Sequence, residues 1–317
     1  MYVCRRPREP VEEELAVLRG SLVPLVTPFR GGRIDESRFD DLLEWQIASG
    51  SHGIVIGGTT GEPAALSLEE REGLIARAVR VARKRVPVVA GTGTNNLDET
   101  LRLTSAARRA GADAVLVVVP YYTRPSQEGL FRYFHTVAGS VDLPVILYNI
   151  PGRTAVNLEA ATIARLARDV PNIVGVKEAN KDFEHINRVF HLCPKSFLVY
   201  SGIEMFCFSL LALGGAGHVS ATGNVLPAEV ARLYDLAAEG RWNEARELHD
   251  HLLPMNEVLF IDTNPVPAKT ALGMMGKIDP EVRSPLAPLS PDHTERLRGV
   301  LAQYGLLSPA AAAVVQG

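Results

Sequence analysis

Ile173-Val174-Gly175-Val176 is an unbroken apolar run that ends abruptly on Lys177-Glu178. A strand with one wet face alternates apolar and polar residues, so an unbroken run marks a strand covered on both faces, as in a parallel sheet wrapped by helices. Seven more such runs occur: Leu22–Val26, Gly53–Ile56, Val86–Ala90, Ala114–Val119, Pro144–Tyr148, Phe197–Tyr200 and His218–Ser220. The segments between them have helical spacing. Phe39, Leu42, Leu43 and Ile47, for example, fall at i, i+3, i+4 and i+8. Ser67 and Glu70 have the Ser-x-x-Glu spacing of a capping box, in which serine oxygen and glutamate each satisfy an orphan backbone donor. Eight strand–helix units of about 20 to 35 residues predict a (β/α)8 TIM barrel rather than an open doubly wound sheet. Helical patterns over Pro227–Glu239, Trp242–Leu259 and Thr294–Tyr304 exceed what one barrel unit needs and predict a C-terminal helical appendage. The expected division is an N-terminal extension over 1–19, the barrel over 20–226, C-terminal helices over 227–307 and an alanine-rich tail over 308–317.

Composition narrows the functional classes. With 46% hydrophobic and 22% charged residues the chain has the balance of a globular protein, not a disordered one. A net charge of -3 gives no positive field for phosphate backbones, so nucleic acid is not an expected partner. The densest basic run, Arg83-Lys84-Arg85, falls at a predicted helix end, where cations meet the negative end of the dipole. Cys4, Cys193 and Cys207 are odd in number and widely spaced, which suits a reducing cytoplasm. No apolar run reaches the roughly 20 residues of a membrane span, and the charged start lacks a secretory apolar core. Gly91-Thr92-Gly93 lacks the third glycine of a dinucleotide fingerprint, and His249 and His251 point to different faces of a predicted helix. Neither a cofactor nor a metal is expected.

A parallel barrel gathers the C-terminal ends of its strands on one face, so polar residues there converge. Those ends carry Gly57-Gly58-Thr59-Thr60-Gly61-Glu62, Pro120-Tyr121-Tyr122, Tyr148-Asn149-Ile150-Pro151-Gly152-Arg153 and Lys177-Glu178-Ala179. An amine at the barrel mouth is partly desolvated, which favours its neutral, nucleophilic form. By itself, a strand-end lysine is more often an ion-pair partner, here of Glu178, than a nucleophile. The tyrosines suit proton relay or rim anchoring. The loop around Thr59 and Thr60 can present N–H groups and hydroxyls to a carboxylate, or serve only as a glycine-permitted turn. Arg153 offers a fork for a second carboxylate.

These four motifs, with Arg124-Pro125-Ser126-Gln127-Glu128-Gly129 after the tyrosine pair, resemble the dihydrodipicolinate synthase and N-acetylneuraminate lyase superfamily of class I pyruvate-dependent aldolases, over Ser21 to Leu307. The resemblance implies a lyase in which Lys177 forms an imine with pyruvate, Tyr148 relays protons, and Thr59 connects Tyr148 to a Tyr122 reaching in from a neighbouring subunit. It implies that Thr59 and Thr60 hold the pyruvate carboxylate, that Gly202 and the carbonyl of Val219 contribute to substrate binding, and that the enzyme is a homotetramer of tight dimers without a cofactor. The synthase branch condenses pyruvate with L-aspartate 4-semialdehyde to 4-hydroxy-tetrahydrodipicolinate in lysine and diaminopimelate biosynthesis, with the arginine matching Arg153 on the semialdehyde carboxylate.

Two departures stand near the expected pocket. Ser201-Gly202-Ile203-Glu204 replaces the usual Ser-Gly-Asp-Asp, and Asn180 replaces a small hydroxyl residue. They keep open another aldolase or dehydratase of the superfamily acting on a sugar acid or other 2-oxo acid; a non-catalytic 2-oxo acid sensor is a third reading. Where lysine-inhibited synthases carry two histidines, this chain has Leu68 and Arg71, so feedback by lysine is expected to be weak or absent, although Asn95, Glu99 and Tyr121 remain.

Overall fold

The computed structural model describes residues 12–307; Cys4, the first eleven residues of the expected N-terminal extension and the tail over 308–317 lie outside them. Eight parallel strands form a closed barrel: β1 Gly20–Pro24, β2 Gly53–Ile56, β3 Val88–Gly91, β4 Ala114–Val118, β5 Val145–Asn149, β6 Ile173–Glu178, β7 Leu198–Ser201 and β8 Gly217–Val219, which returns to β1. The eight apolar runs become these eight strands, with ends displaced by a residue or two. Helices α1 Glu36–Ala48, α2 Leu68–Ala82, α3 Leu97–Ala110, α4 Gln127–Gly139, α5 Ala160–Asp169, α6 Phe183–Leu192, α7 Cys207–Ala212 and α8 Pro227–Ala238 follow them in turn. The capping box at Ser67 and Glu70 forms as expected. The basic run caps the same helix: Arg85 Nε and Nη2 donate to the carbonyls of Ala82 and Val81, at 3.1 and 2.7 Å.

The strands are apolar throughout because both faces are covered. Val115, Val117, Leu147 and Val176 pack outward beneath Phe39, Leu74, Phe134 and Leu166, whereas Leu22, Val55, Val89, Leu116, Ile146 and Leu198 fill the barrel interior. One irregularity decides which way β6 presents its last residues. Ile173 packs outward and Val174 inward, yet Val176 packs outward again. The alternation is broken at Gly175, where the β5–β6 register shifts. Since side chains alternate with period two, this extra residue turns Lys177 inward beside Tyr148; an unbroken alternation would send it into the helix layer.

Only glycine fits at Gly175, since a Cβ there would lie 2.3 Å from the carbonyl oxygen of Leu198. Gly175→Ala is therefore expected to cost about 1–3 kcal/mol, seen as a lower unfolding midpoint together with reduced activity. An unchanged midpoint would show that β6 can shift without cost.

Beyond α8 the chain adds α9 Trp242–Val258, α10 Val266–Met274 and α11 Pro291–Gln303, which share a second apolar core containing Leu252, Met255, Ala271, Leu297 and Leu301. Helix α10 has no counterpart in the sequence reading. Val266, Pro267, Ala268, Lys269, Ala271 and Leu272 are all buried, so there is no polar face to produce a helical stripe. Glu62, at the end of the Gly-Thr-Thr-Gly loop, joins this layer to the barrel: it accepts from buried Lys269 Nζ at 2.7 Å and from the backbone N–H of Arg283 at 3.1 Å.

Candidate active site

At the C-terminal end of the barrel lies a cavity of about 290 Å³, whose lining includes Thr59, Tyr148 and Arg153. Tyr148 is the fourth residue of β5 and points into the barrel; Thr59 comes from the turn after β2. Their hydroxyl oxygens lie 3.4 Å apart. Lys177 pairs with Tyr148 across the β5–β6 ladder and is only 5% exposed. Its Nζ sits 4.2 Å from the centre of the Tyr148 ring. The three groups thus form a stack from the cavity inward, hydroxyl to phenol to amine, with the negative ring face toward the nitrogen. Gly202 makes room for the lysine: a Cβ there would stand 2.8 Å from Lys177 Cε.

The ion pair considered between Lys177 and Glu178 does not form. Consecutive strand residues face opposite sides, so Glu178 points outward, where its Oε2 lies 3.1 Å from His185 Nε2 and its Oε1 accepts from Asn149 Nδ2 at 3.0 Å. Another carboxylate, Glu204, feels the charge of the amine. It is buried, its Oε1 accepts from the backbone N–H of Ala221 at 2.7 Å, and burial pushes its carboxyl above the usual range, opposed by that N–H and by the charge of Lys177. Val219 ends β8 within the barrel-interior cluster.

The other candidates are placed as follows. Thr60 is buried, with Oγ1 accepting from Asn264 Nδ2 at 3.0 Å. Arg153 sits in the short helix Pro151–Thr154 on the cavity wall, and its Nη2 donates to the carbonyl of Asn264 at 3.2 Å. Tyr122 is not brought into the chain's own cavity: it is 87% exposed, with φ of 73°. Asn180 turns away, its Nδ2 donating to Asn157 Oδ1 at 3.0 Å on the outer side of the strand ends. The expectation that Asn180 stands near the pocket is thereby corrected, for the same reason that Glu178 leaves it. Arg71 is buried, lines the cavity and donates from Nη2 to the carbonyl of Gly91 at 3.0 Å.

Sequence reasoning missed the wall contributed by Asn264 and Arg283, from the segments flanking α10. Neither belongs to a strand end, and no local motif marks them; only folding of the C-terminal helices brings them over the barrel mouth.

The model described as the dihydrodipicolinate synthetase family matches residues 17–304. The 4-hydroxy-tetrahydrodipicolinate synthase of Thermus thermophilus is 49% identical over 292 residues, 92% of this chain and 98% of that protein. The crystal structure of dihydrodipicolinate synthase from Aquifex aeolicus is 43% identical, covers 92% of this chain and 99% of that one, and superposes with a TM-score of 0.90. The chloride-inhibited dihydrodipicolinate synthase from Acinetobacter baumannii, solved in complex with pyruvate, is 41% identical with a TM-score of 0.89, covering 91% of this chain and 99% of that one. With a family model spanning nearly the whole barrel and relatives alike in length and sequence, the chain belongs to the dihydrodipicolinate synthetase family.

Proposed function

We propose that this lyase holds pyruvate as an imine on Lys177 and condenses it with L-aspartate 4-semialdehyde to give 4-hydroxy-tetrahydrodipicolinate. The observation that carries the reading is the stack of Thr59, Tyr148 and Lys177 below the cavity. The amine adds to the C2 carbonyl of pyruvate and water leaves. The cationic imine then withdraws electrons from the neighbouring methyl, which loses a proton to become an enamine. The enamine carbon attacks the aldehyde, and the amino group of the adduct displaces Lys177 as the ring closes.

Tyr148, reaching from the amine to Thr59, is the proton relay. The Thr60 hydroxyl accepts from Asn264, which leaves its own hydrogen to donate to the pyruvate carboxylate. Gly202 and the Val219 carbonyl complete the pyruvate pocket. Tyr122 acts in a neighbouring copy, a role that its exposure supports, and the assembly is a tetramer of tight dimers. Cytoplasmic location is supported by buried, unpaired Cys193 and Cys207; among the described residues no helix is long and apolar enough to cross a membrane.

Borohydride reduction with pyruvate, followed by peptide mass analysis, is expected to leave a pyruvyl adduct on Lys177; its absence would overturn the imine. For the acceptor, Arg153→Ala is expected to raise the KM for aspartate semialdehyde by about 10- to 100-fold, the worth of a charge-assisted hydrogen bond, with the pyruvate KM unchanged. Undiminished use of the semialdehyde, or preference for a sugar-acid aldehyde in a parallel assay, would reassign the substrate. With Leu68 and Arg71 at the two histidine positions, millimolar lysine is expected to leave most activity in place, and near-complete inhibition at sub-millimolar lysine would contradict this.

A further inference from the structure

On the outer side of the strands that carry Tyr148 and Lys177 lies a buried polar cluster that the proposed chemistry does not use. Asn149 and Glu178 are the next residues along β5 and β6, and they pair with each other in the ladder as Tyr148 pairs with Lys177. The Glu178 carboxylate meets three groups: Asn149 Nδ2 at 3.0 Å, the backbone N–H of Asn180 at 3.0 Å, and His185 Nε2 of α6 at 3.1 Å. Asn149 also donates to Asn157 Oδ1 at 2.8 Å and accepts from the backbone N–H of Leu158 at 3.0 Å. Asn180 closes the circuit through Asn157 and accepts from the backbone N–H of Asp182, the N-cap of α6. Asn149, Glu178 and His185 are each under 9% exposed.

We propose that Asn149, Glu178 and His185 form a positioning device, which locks the ends of β5 and β6 in the register that sets the Tyr148 ring against the Lys177 amine. A strand end is otherwise held only by its ladder, and β6 already carries a register shift, so it needs an independent lock. The cluster supplies one without entering the cavity: any slip of β6 along β5 breaks the Asn149–Glu178 pair and displaces the amine from the phenol together. A displacement of about 1 Å in a proton-transfer pair can cost on the order of 100-fold. Noncovalent binding of pyruvate, before the imine forms, depends on other elements, the turn after β2, Gly202 after β7 and the end of β8, and is largely spared. This inference rests on the imine reading above.

The test uses Asn149→Asp, Glu178→Gln and the double variant, with three readouts: the fraction of Lys177 trapped by borohydride with pyruvate, deuterium exchange into the pyruvate methyl per trapped site, and the pyruvate KM. Asn149→Asp sets acceptor against acceptor and is expected to slow exchange by about 100-fold, with pyruvate KM changed by less than about threefold. In the double variant donor and acceptor change places, the new amide on β6 donating to the new carboxylate on β5, and at least about tenfold of the loss is expected to return. Glu178→Gln alone is expected to stay within about threefold of native, because the His185 imidazole can switch tautomer and accept. Native exchange in Asn149→Asp, or a double variant no faster than Asn149→Asp at equal trapping, would overturn the positioning role. If Asn149→Asp does not fold, His185→Leu carries the test: about tenfold slower exchange at unchanged KM supports the role and native exchange overturns it. Failure of the native chain to trap pyruvate would instead overturn the imine reading.

Discussion

Lys177→Met is expected to abolish pyruvate trapping by borohydride and to lower turnover by at least about 10⁴-fold, the scale seen when a nucleophile is removed and only binding remains. Methionine keeps the side chain out to Cε and its path past Gly202, so the change isolates the nitrogen. Native Lys177 is 5% exposed, and its amine is stacked 4.2 Å from the Tyr148 ring centre. Burying such a polar group costs free energy, and the thioether removes that cost. The variant should therefore melt at the same temperature as the native chain or above it while being inactive. Retained turnover would show that the condensation does not pass through the lysine; a lowered midpoint with partial activity would give the amine a structural task in place of a chemical one.

Tyr148→Phe is expected to separate imine formation from the proton transfer that follows. The ring remains over Lys177, so the amine keeps its packing and pyruvate is still trapped. The phenolic oxygen, 3.4 Å from Thr59 Oγ1, is gone. Turnover should fall by about 10²- to 10⁴-fold, the usual worth of a positioned acid or base, and deuterium exchange into the pyruvate methyl should fall with it. Undiminished exchange would remove Tyr148 from the relay. Thr59→Val, which loses one end of the same chain, is expected to act in the same direction with a smaller effect.

How far the site could be read in the sequence differs from residue to residue. Lys177 and Tyr148 stood out because each ends an apolar run, and the barrel rule gathers such ends on one face. The same rule misplaced Asn180 and left Glu178 as an ion-pair candidate, because it says nothing about which side of the sheet a residue faces. That phase is set by Gly175, where the register shift against β5 reverses the alternation. Asn264 and Arg283 were illegible for another reason: they lie 111 to 221 residues beyond the barrel-mouth residues they bond, Arg153, Thr60 and Glu62, and no periodicity links them to the cavity.

The sequence by itself determined the layers of this protein: eight strands buried on both faces, the helices between them, the cap at Ser67, and the presence of Lys177 and Tyr148 at strand ends. These follow from relations among residues a few positions apart, which periodicity and capping chemistry report directly. The tertiary structure alone decided that Lys177 lies against Tyr148 and Gly202, that Glu178 turns outward to Asn149 and His185, that Tyr122 stands outside its own cavity, and that a C-terminal segment walls the barrel mouth. Each of these depends on contacts between distant segments, whose register and facing are fixed only when the barrel closes and the last helices pack upon it.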